Sequence, residues 1–112
     1  MSLALLFAAA CFPVLTQGNA NHMARLDREW KSAKTQCELN DCKQFKPYEN
    51  DNCVNRCISE ACYQEIYGAQ LLEDGEFDNV RSRTFTQCLR QELREKKAAA
   101  LAAERRKAAE GL

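Results

Sequence analysis

The sequence predicts a small all-α fold stapled by disulfides: a helical hairpin followed by a third, long C-terminal helix. Three observations carry the prediction. Six of the seven cysteines, Cys37, Cys42, Cys53, Cys57, Cys62 and Cys88, lie downstream of an apolar opening segment, an even set expected to form three disulfides. Apolar residues recur at steps of three and four in three separate stretches. The last of these runs into a segment made almost entirely of Ala, Glu, Arg and Lys, all strong helix formers.

The opening segment reads as a secretory signal. Leu3 to Leu15 carries no charged residue and is followed by Thr16, Gln17, Gly18, Asn19 and Ala20, in which Gly18 and Ala20 supply the small residues a signal peptidase needs. Pro13 interrupts the run, which is shorter than the roughly 20 residues that cross a bilayer as a helix. Residues 1–20 are therefore expected to be removed, and Cys11 with them, which turns an odd cysteine total into an even one. An uncleaved anchor, or a bacterial lipid-attachment box at Ala8, Ala9, Ala10 and Cys11, are the competing readings. The remainder divides into a disulfide-bridged domain over 21–93 and a helical tail over 94–112, one domain of a size at which a small core needs staples.

The first helix is expected from about His22 to Glu38, with Met23, Leu26, Trp30, Ala33 and Cys37 on its apolar face. Asn40 and Asp41 can end it, and Lys43 to Asp51, punctuated by Pro47, reads as a loop. Asn50, Asp51 or Asn52 can cap a second helix that carries Cys53, Val54, Cys57, Ile58, Ala61, Cys62 and Ile66 as far as Gly68. Leu71 to Asn79 is a second loop, turning at Asp74 and Gly75, with Asp78 as cap. Phe77, Val80, Phe85, Cys88, Leu89 and Leu93 then give the third helix its apolar face. From Arg94 to Glu110 Leu101 is the one large apolar residue, so that part is expected to protrude.

Cys53 and Cys57, four apart, share one face of the second helix, whereas Cys62 is turned away from them. Cys37 and Cys42 face that pair across an antiparallel hairpin. The nested choice is Cys42 with Cys53 and Cys37 with Cys57, which leaves Cys62 to pin the third helix through Cys88. Six cysteines allow fifteen pairings, and the other pairings stay open from sequence.

The formal charge is zero but unevenly spread. Residues 38–78 carry ten acidic and three basic side chains, whereas residues 81–112 carry nine basic and four acidic. An acidic middle between basic ends is either a set of solvated faces or a dedicated charged binding surface.

Little in the chain points to chemistry. No cysteine pair has the two-residue spacing of zinc knuckles or of thiol oxidoreductases, so no metal site is expected. His22 is the single histidine and lies beside the expected cleavage point, which leaves histidine-dependent catalysis without a partner. Glu73, Asp74, Glu76 and Asp78 lack the full calcium-loop pattern, and turn formation with helix capping accounts for them. A small helical domain offers little room for a two-carboxylate cleft. No asparagine has a glycosylation sequon. No catalytic residue, no cofactor and no nucleic-acid partner are expected.

The most distinctive stretch is Lys46-Pro47-Tyr48-Glu49-Asn50-Asp51-Asn52-Cys53-Val54-Asn55-Arg56-Cys57. Together with Cys62-Tyr63, Ile66-Tyr67 and Leu72-Glu73-Asp74-Gly75-Glu76, it resembles a family of small secreted eukaryotic proteins classed only as a domain of unknown function. The resemblance covers roughly Cys37 to Cys88, is most specific in the YENDNCVNRC core, and implies no activity; it supports reading the six cysteines as one unit. Two accounts of the core compete. In one, Asn50 and Asn52 cap a helix, Arg56 pairs with a nearby acid and Tyr48 packs on the hairpin. In the other, Tyr48, Glu49, Asn50, Asp51, Asn55 and Arg56 form a recognition surface with Tyr63 or Tyr67 as aromatic anchor.

The reading that needs nothing the sequence lacks is a secreted, non-enzymatic module that binds another protein, with no stable membrane insertion after signal cleavage. The endoplasmic reticulum lumen is the alternative location, although Glu110-Gly111-Leu112 is not a lumenal retention signal. Two other classes compete: a cysteine-paired hairpin factor of the mitochondrial intermembrane space, whose helices usually repeat one spacing, and a membrane-active defence peptide using the basic Arg81 to Lys107, which lacks a sizeable apolar face.

Overall fold

The computed structural model describes residues 20–111. The signal segment expected over residues 1–20, and Cys11 within it, lie outside the described residues but for Ala20, which opens a helix. That helix, α1, spans residues 20–36 and runs straight into a wider π-turn over Cys37–Asp41. Three more follow: α2 over Asp51–Ile58, α3 over Glu60–Tyr67 and α4 over Asn79–Glu110. The fold is all-helical, with no strand among the described residues.

The π-turn explains how one helix end meets two cysteines of another. Five steps of about 100° rotate a side chain about 140° round an α-helix, which would point Cys37 and Cys42 apart. Here the Cys42 N–H bonds the Cys37 carbonyl five residues back at 2.9 Å, so the wider turn returns Cys42 to the side of Cys37. Both then face Cys57 and Cys53, which are four apart on α2. The disulfides are Cys37–Cys57 and Cys42–Cys53, each with Cα atoms 5.9 Å apart, and Cys62–Cys88 with Cα atoms 5.8 Å apart. They are the nested pairs that the spacing favoured.

The second predicted helix is two helices. Ser59 sits extended at φ −160°, ψ 108°, its N–H still closing α2 on the Asn55 carbonyl while its hydroxyl accepts the Cys62 N–H at 3.1 Å to cap α3. The same hydroxyl, buried, donates to Glu92 on α4 at 2.5 Å. Within its apolar period Ser59 is compatible with a continuous helix, but its capping bond and its contact with α4 hold a break there. The break redirects α3 so that Cys62, Tyr63 and Tyr67 turn inward.

Those three residues, with Leu72, Phe85 and Leu89, form the main core, and Trp30, Ile58, Ile66 and Cys88 pack on it. Its centre is an aromatic row, Tyr63 to Tyr67 at 5.8 Å and Tyr67 to Phe85 at 5.7 Å between ring centroids, tilted as aromatic quadrupoles prefer. A second cluster of Cys37, Cys42 and Val54 lies around the paired disulfides, and Ile58 touches both. Phe77 and Val80, expected on the apolar face of the last helix, are instead exposed at 90 % and 73 %. Phe77 precedes the Asp78 cap and so lies outside the helical period, and burial on α4 begins at Phe85.

α1 contributes the fully buried Leu26 and lays Trp30 on the core that holds Phe85 and Leu89 of α4, and polar groups add to that contact. Asp27 accepts two bonds from Arg90, at 2.7 and 3.0 Å, and one from the Trp30 indole at 2.9 Å. Glu29 pairs with Lys97 at 2.9 Å. The Arg90 bonds, followed by that of Trp30, hold the Asp27 carboxyl down from 3.8 to about 2. A carboxylate with a depressed folded pKa adds stability that is complete above its unfolded value and lost as pH falls through its folded one. Acid titration should therefore remove about 1–2 kcal/mol as pH drops from about 4 to about 2. Asp27→Asn should flatten that limb of the stability–pH curve, measured by urea unfolding.

α4 continues without a break across the expected domain boundary at Leu93. Beyond Lys97 it is exposed apart from a half-buried Ala103, and Leu101 is 48 % exposed.

Candidate interaction surface

Two loops, residues 43–50 and 71–78, are stitched side by side at the N-terminal ends of α2 and α4. Gly75, at φ +81°, makes the turn of the second loop in a conformation that costs glycine little. Its N–H donates to the Tyr48 carbonyl at 3.0 Å, joining the loops backbone to backbone. Asn52 was expected as a possible cap, but α2 has no side-chain cap at its N-cap residue, Asn50. The Asn52 amide instead spans the structure, donating to the Leu72 carbonyl at 2.8 Å and accepting from the Tyr63 hydroxyl at 3.0 Å. One side chain thus ties α2, α3 and the second loop together.

Arg81 secures the other end of that loop. It bonds Asp78 at 2.7 Å, Glu76 at 3.3 Å and the Gln70 carbonyl, and its guanidinium lies 4.8 Å from the centroid of the Tyr67 ring. Asp78 also caps α4 by accepting the Arg81 N–H at 3.0 Å, and these bonds hold its carboxyl below the usual range. Half of the acidic cluster is therefore structural. Glu73 and Asp74 remain exposed at the turn.

Between the loops, the end of α1 and the start of α4 lies a cleft of about 310 Å³. Tyr67 and Phe85 contribute to its wall, as do Asn50, Asp51, Asn55 and Phe77. Lys34 of α1 and Glu38 of the π-turn border it as well. Burial pushes the Asp51 carboxyl up, with Lys34 working against the rise. Next to the cleft stand two large aromatic side chains, Phe77 at 90 % and Tyr48 at 80 % exposure.

The recognition set read from the sequence is only partly assembled here. Asn50, Asp51 and Asn55 line the cleft, and Tyr48 and Glu49 are exposed beside Pro47, which also lines it. Tyr48 does not pack on the hairpin. Arg56 stands apart, paired in two bonds with Glu60 at 3.1 and 3.2 Å. Tyr63 and Tyr67 are 2 % and 3 % exposed and serve as core, so neither is an aromatic anchor. The large exposed aromatics on this face are instead Tyr48 and Phe77. The signal of Phe77 was legible as one aromatic among Glu76, Asp78 and Asn79, a setting too polar for a core position.

Residues 27–88, more than half of the chain, match the family described as a domain of unknown function, DUF4787. That span contains the six bonded cysteines, both loops and the cleft-lining residues named above. No curated protein and no solved structure matches the chain.

Proposed function

Given that the chain belongs to the DUF4787 family, we propose that it is a secreted or lumenal binding module without enzymatic activity, and that it engages a protein partner through the two-loop face. The observation that carries this reading is the pair Tyr48 and Phe77, almost fully exposed on loops fixed by the Gly75–Tyr48 bond, Asn52 and Arg81. Large aromatics presented on loops whose backbone is already fixed need little rearrangement to bind and bury much apolar area, which is how interface anchors work. Glu76 and Asp78 are engaged with Arg81, so these carboxylates hold the face rather than stand ready for proton transfer. Three disulfides in a small domain support an oxidising compartment.

The test is site-specific photo-crosslinking in cells that secrete the protein, with the probe at position 48 and, as control, at Gln87 on the exposed side of α4. The expected result is a protein adduct from position 48 that the control lacks and that Phe77→Ala abolishes while leaving the thermal midpoint unchanged. Equal adducts from both positions, or adducts indifferent to Phe77→Ala, would overturn the reading. The same material, mapped without reduction, should show three disulfides and a start near Asn21.

A further inference from the structure

We propose that the cleft beside Tyr48 and Phe77 receives the basic C-terminal end of α4 from a second copy of this chain. The inference rests on the reading above that this face is the binding surface, and it names the occupant.

Charge is the first argument. At the cleft and on the exposed loops, Glu38, Glu49, Asp51, Glu73 and Asp74 outnumber Lys34, Lys43 and Lys46, which leaves the face acidic. Glu38 and Asp51 line the cleft, with Glu49, Glu73 and Asp74 exposed on the two loops, and none of these five takes part in an ion pair among the described residues. At the far end of α4, Arg105, Arg106 and Lys107 form a consecutive basic run, exposed and likewise without an ion pair. Two complementary charged surfaces on one neutral chain are each left without a partner.

Geometry decides that the partner is another molecule. The cleft takes Ser82 and Phe85 from the start of α4, whereas Arg105 lies twenty residues further along the same unbroken helix. At 1.5 Å per residue that is about 30 Å away, so the helix cannot bring its own end back to its own cleft. The tail also has no burial of its own to explain it: from Ala98 to Glu110 only Ala103 is even half-buried, and the long apolar side chain there, Leu101, is free to meet Phe77. Each copy offers one cleft and one tail, so two copies can close on each other with two identical contacts, the self-complementary arrangement that stops growth at a dimer.

The test is sedimentation of the full, oxidised secreted chain over a concentration series, at ~0.01 M and ~1 M salt, between which the screening length falls from about 30 to about 3 Å. The expected result is a dimer at low salt that weakens at high salt. Replacing Arg105, Arg106 and Lys107 together by Glu should weaken association about tenfold or more, and Glu38→Lys with Asp51→Lys should do the same. The five substituted residues lie at the surface, Asp51 partly covered in the cleft, so folding is expected to survive the changes. Combining both sets reverses each partner's charge and should restore the dimer, which a merely disruptive change would not. A chain that stays monomeric at low salt, a dimer indifferent to either charge reversal, or a combined variant that fails to recover would each overturn the proposal. A monomer that still yields an adduct from position 48 to a different protein would sink this inference and leave the binding face standing; loss of both would sink the two together.

Discussion

Replacing Cys62 and Cys88 together by Ala should lower the stability of the oxidised protein by roughly 3–4 kcal/mol and release α4 from the hairpin. The bond closes a span of 26 residues, and the loop-entropy account of cross-links assigns about 3.5 kcal/mol to a closure of that length. It is also the one disulfide that joins α3 to α4; the other two both tie the end of α1 to α2. Without it α4 keeps Phe85 and Leu89 in the core with Tyr67 and Leu72, Arg81 on the second loop and the Tyr67 ring, the Ser59–Glu92 hydrogen bond and the Asp27–Arg90 and Glu29–Lys97 pairs, mostly polar and partly exposed contacts for a 32-residue helix. Replacing Cys42 and Cys53 should cost less, about 2.5–3 kcal/mol, because that loop spans 11 residues and lies inside the one closed by Cys37–Cys57. Urea unfolding of the two double variants measures the difference. Hydrogen exchange separates the causes: loss of Cys62–Cys88 should expose α4 amides well below the global unfolding free energy, whereas loss of Cys42–Cys53 should loosen the 43–50 loop. Equal costs, or α4 amides that exchange only with global unfolding in the first variant, would show that packing rather than the cross-link carries the long helix.

The helical class, the nested disulfides and the stop at Gly68 were legible because each depends on a local pattern: a period of three to four, a spacing of four between Cys53 and Cys57, a glycine after Tyr67. The break at Ser59 was not, since serine within an apolar period is compatible with a continuous helix. It becomes a cap when Glu92, thirty-three residues away, can accept its hydroxyl hydrogen bond and leave the oxygen free to receive the Cys62 N–H. The π-turn is a similar case. Nothing in Cys37-Glu38-Leu39-Asn40-Asp41 calls for a wide turn by itself; the need arises when two cysteines five apart must meet two that are four apart. At the candidate site the polar crowding of the Tyr48–Arg56 stretch was visible, but not how the labour divides within it. Arg56 turns to Glu60, Asn52 turns inward to the core, and Tyr48 turns out. Phe77 falls outside the apolar face because helical periodicity does not carry past the cap at Asp78.

Asn52→Ala should destabilise the protein by roughly 2–4 kcal/mol, an unusual cost for a half-buried polar side chain in the first turn of a helix. The reason is what the amide leaves behind. Tyr63 is 2 % exposed, and its hydroxyl has its hydrogen bond to Asn52; truncation strands that hydroxyl beside the aromatic row, and strands the Leu72 carbonyl where the second loop enters the core. Tyr63→Phe removes the same hydroxyl together with its need for a partner, so it should cost only about 1 kcal/mol, and Asn52→Ala should cost less in that background than in the native one. The cycle of single and double variants, followed by urea unfolding, yields the coupling directly; additive costs would mean that Asn52 acts on its own helix and not as a brace. Asn52→Asp retains the acceptor for Tyr63 and loses the donor for Leu72, so it should preserve the aromatic row and free the second loop. That substitution carries the argument from stability to the binding face. The Gly75–Tyr48 bond and the Leu72 carbonyl contact both hold the loop that presents Phe77. If Phe77 owes its role to being held in place, Asn52→Asp should weaken the position-48 adduct while the thermal midpoint falls far less than in Asn52→Ala.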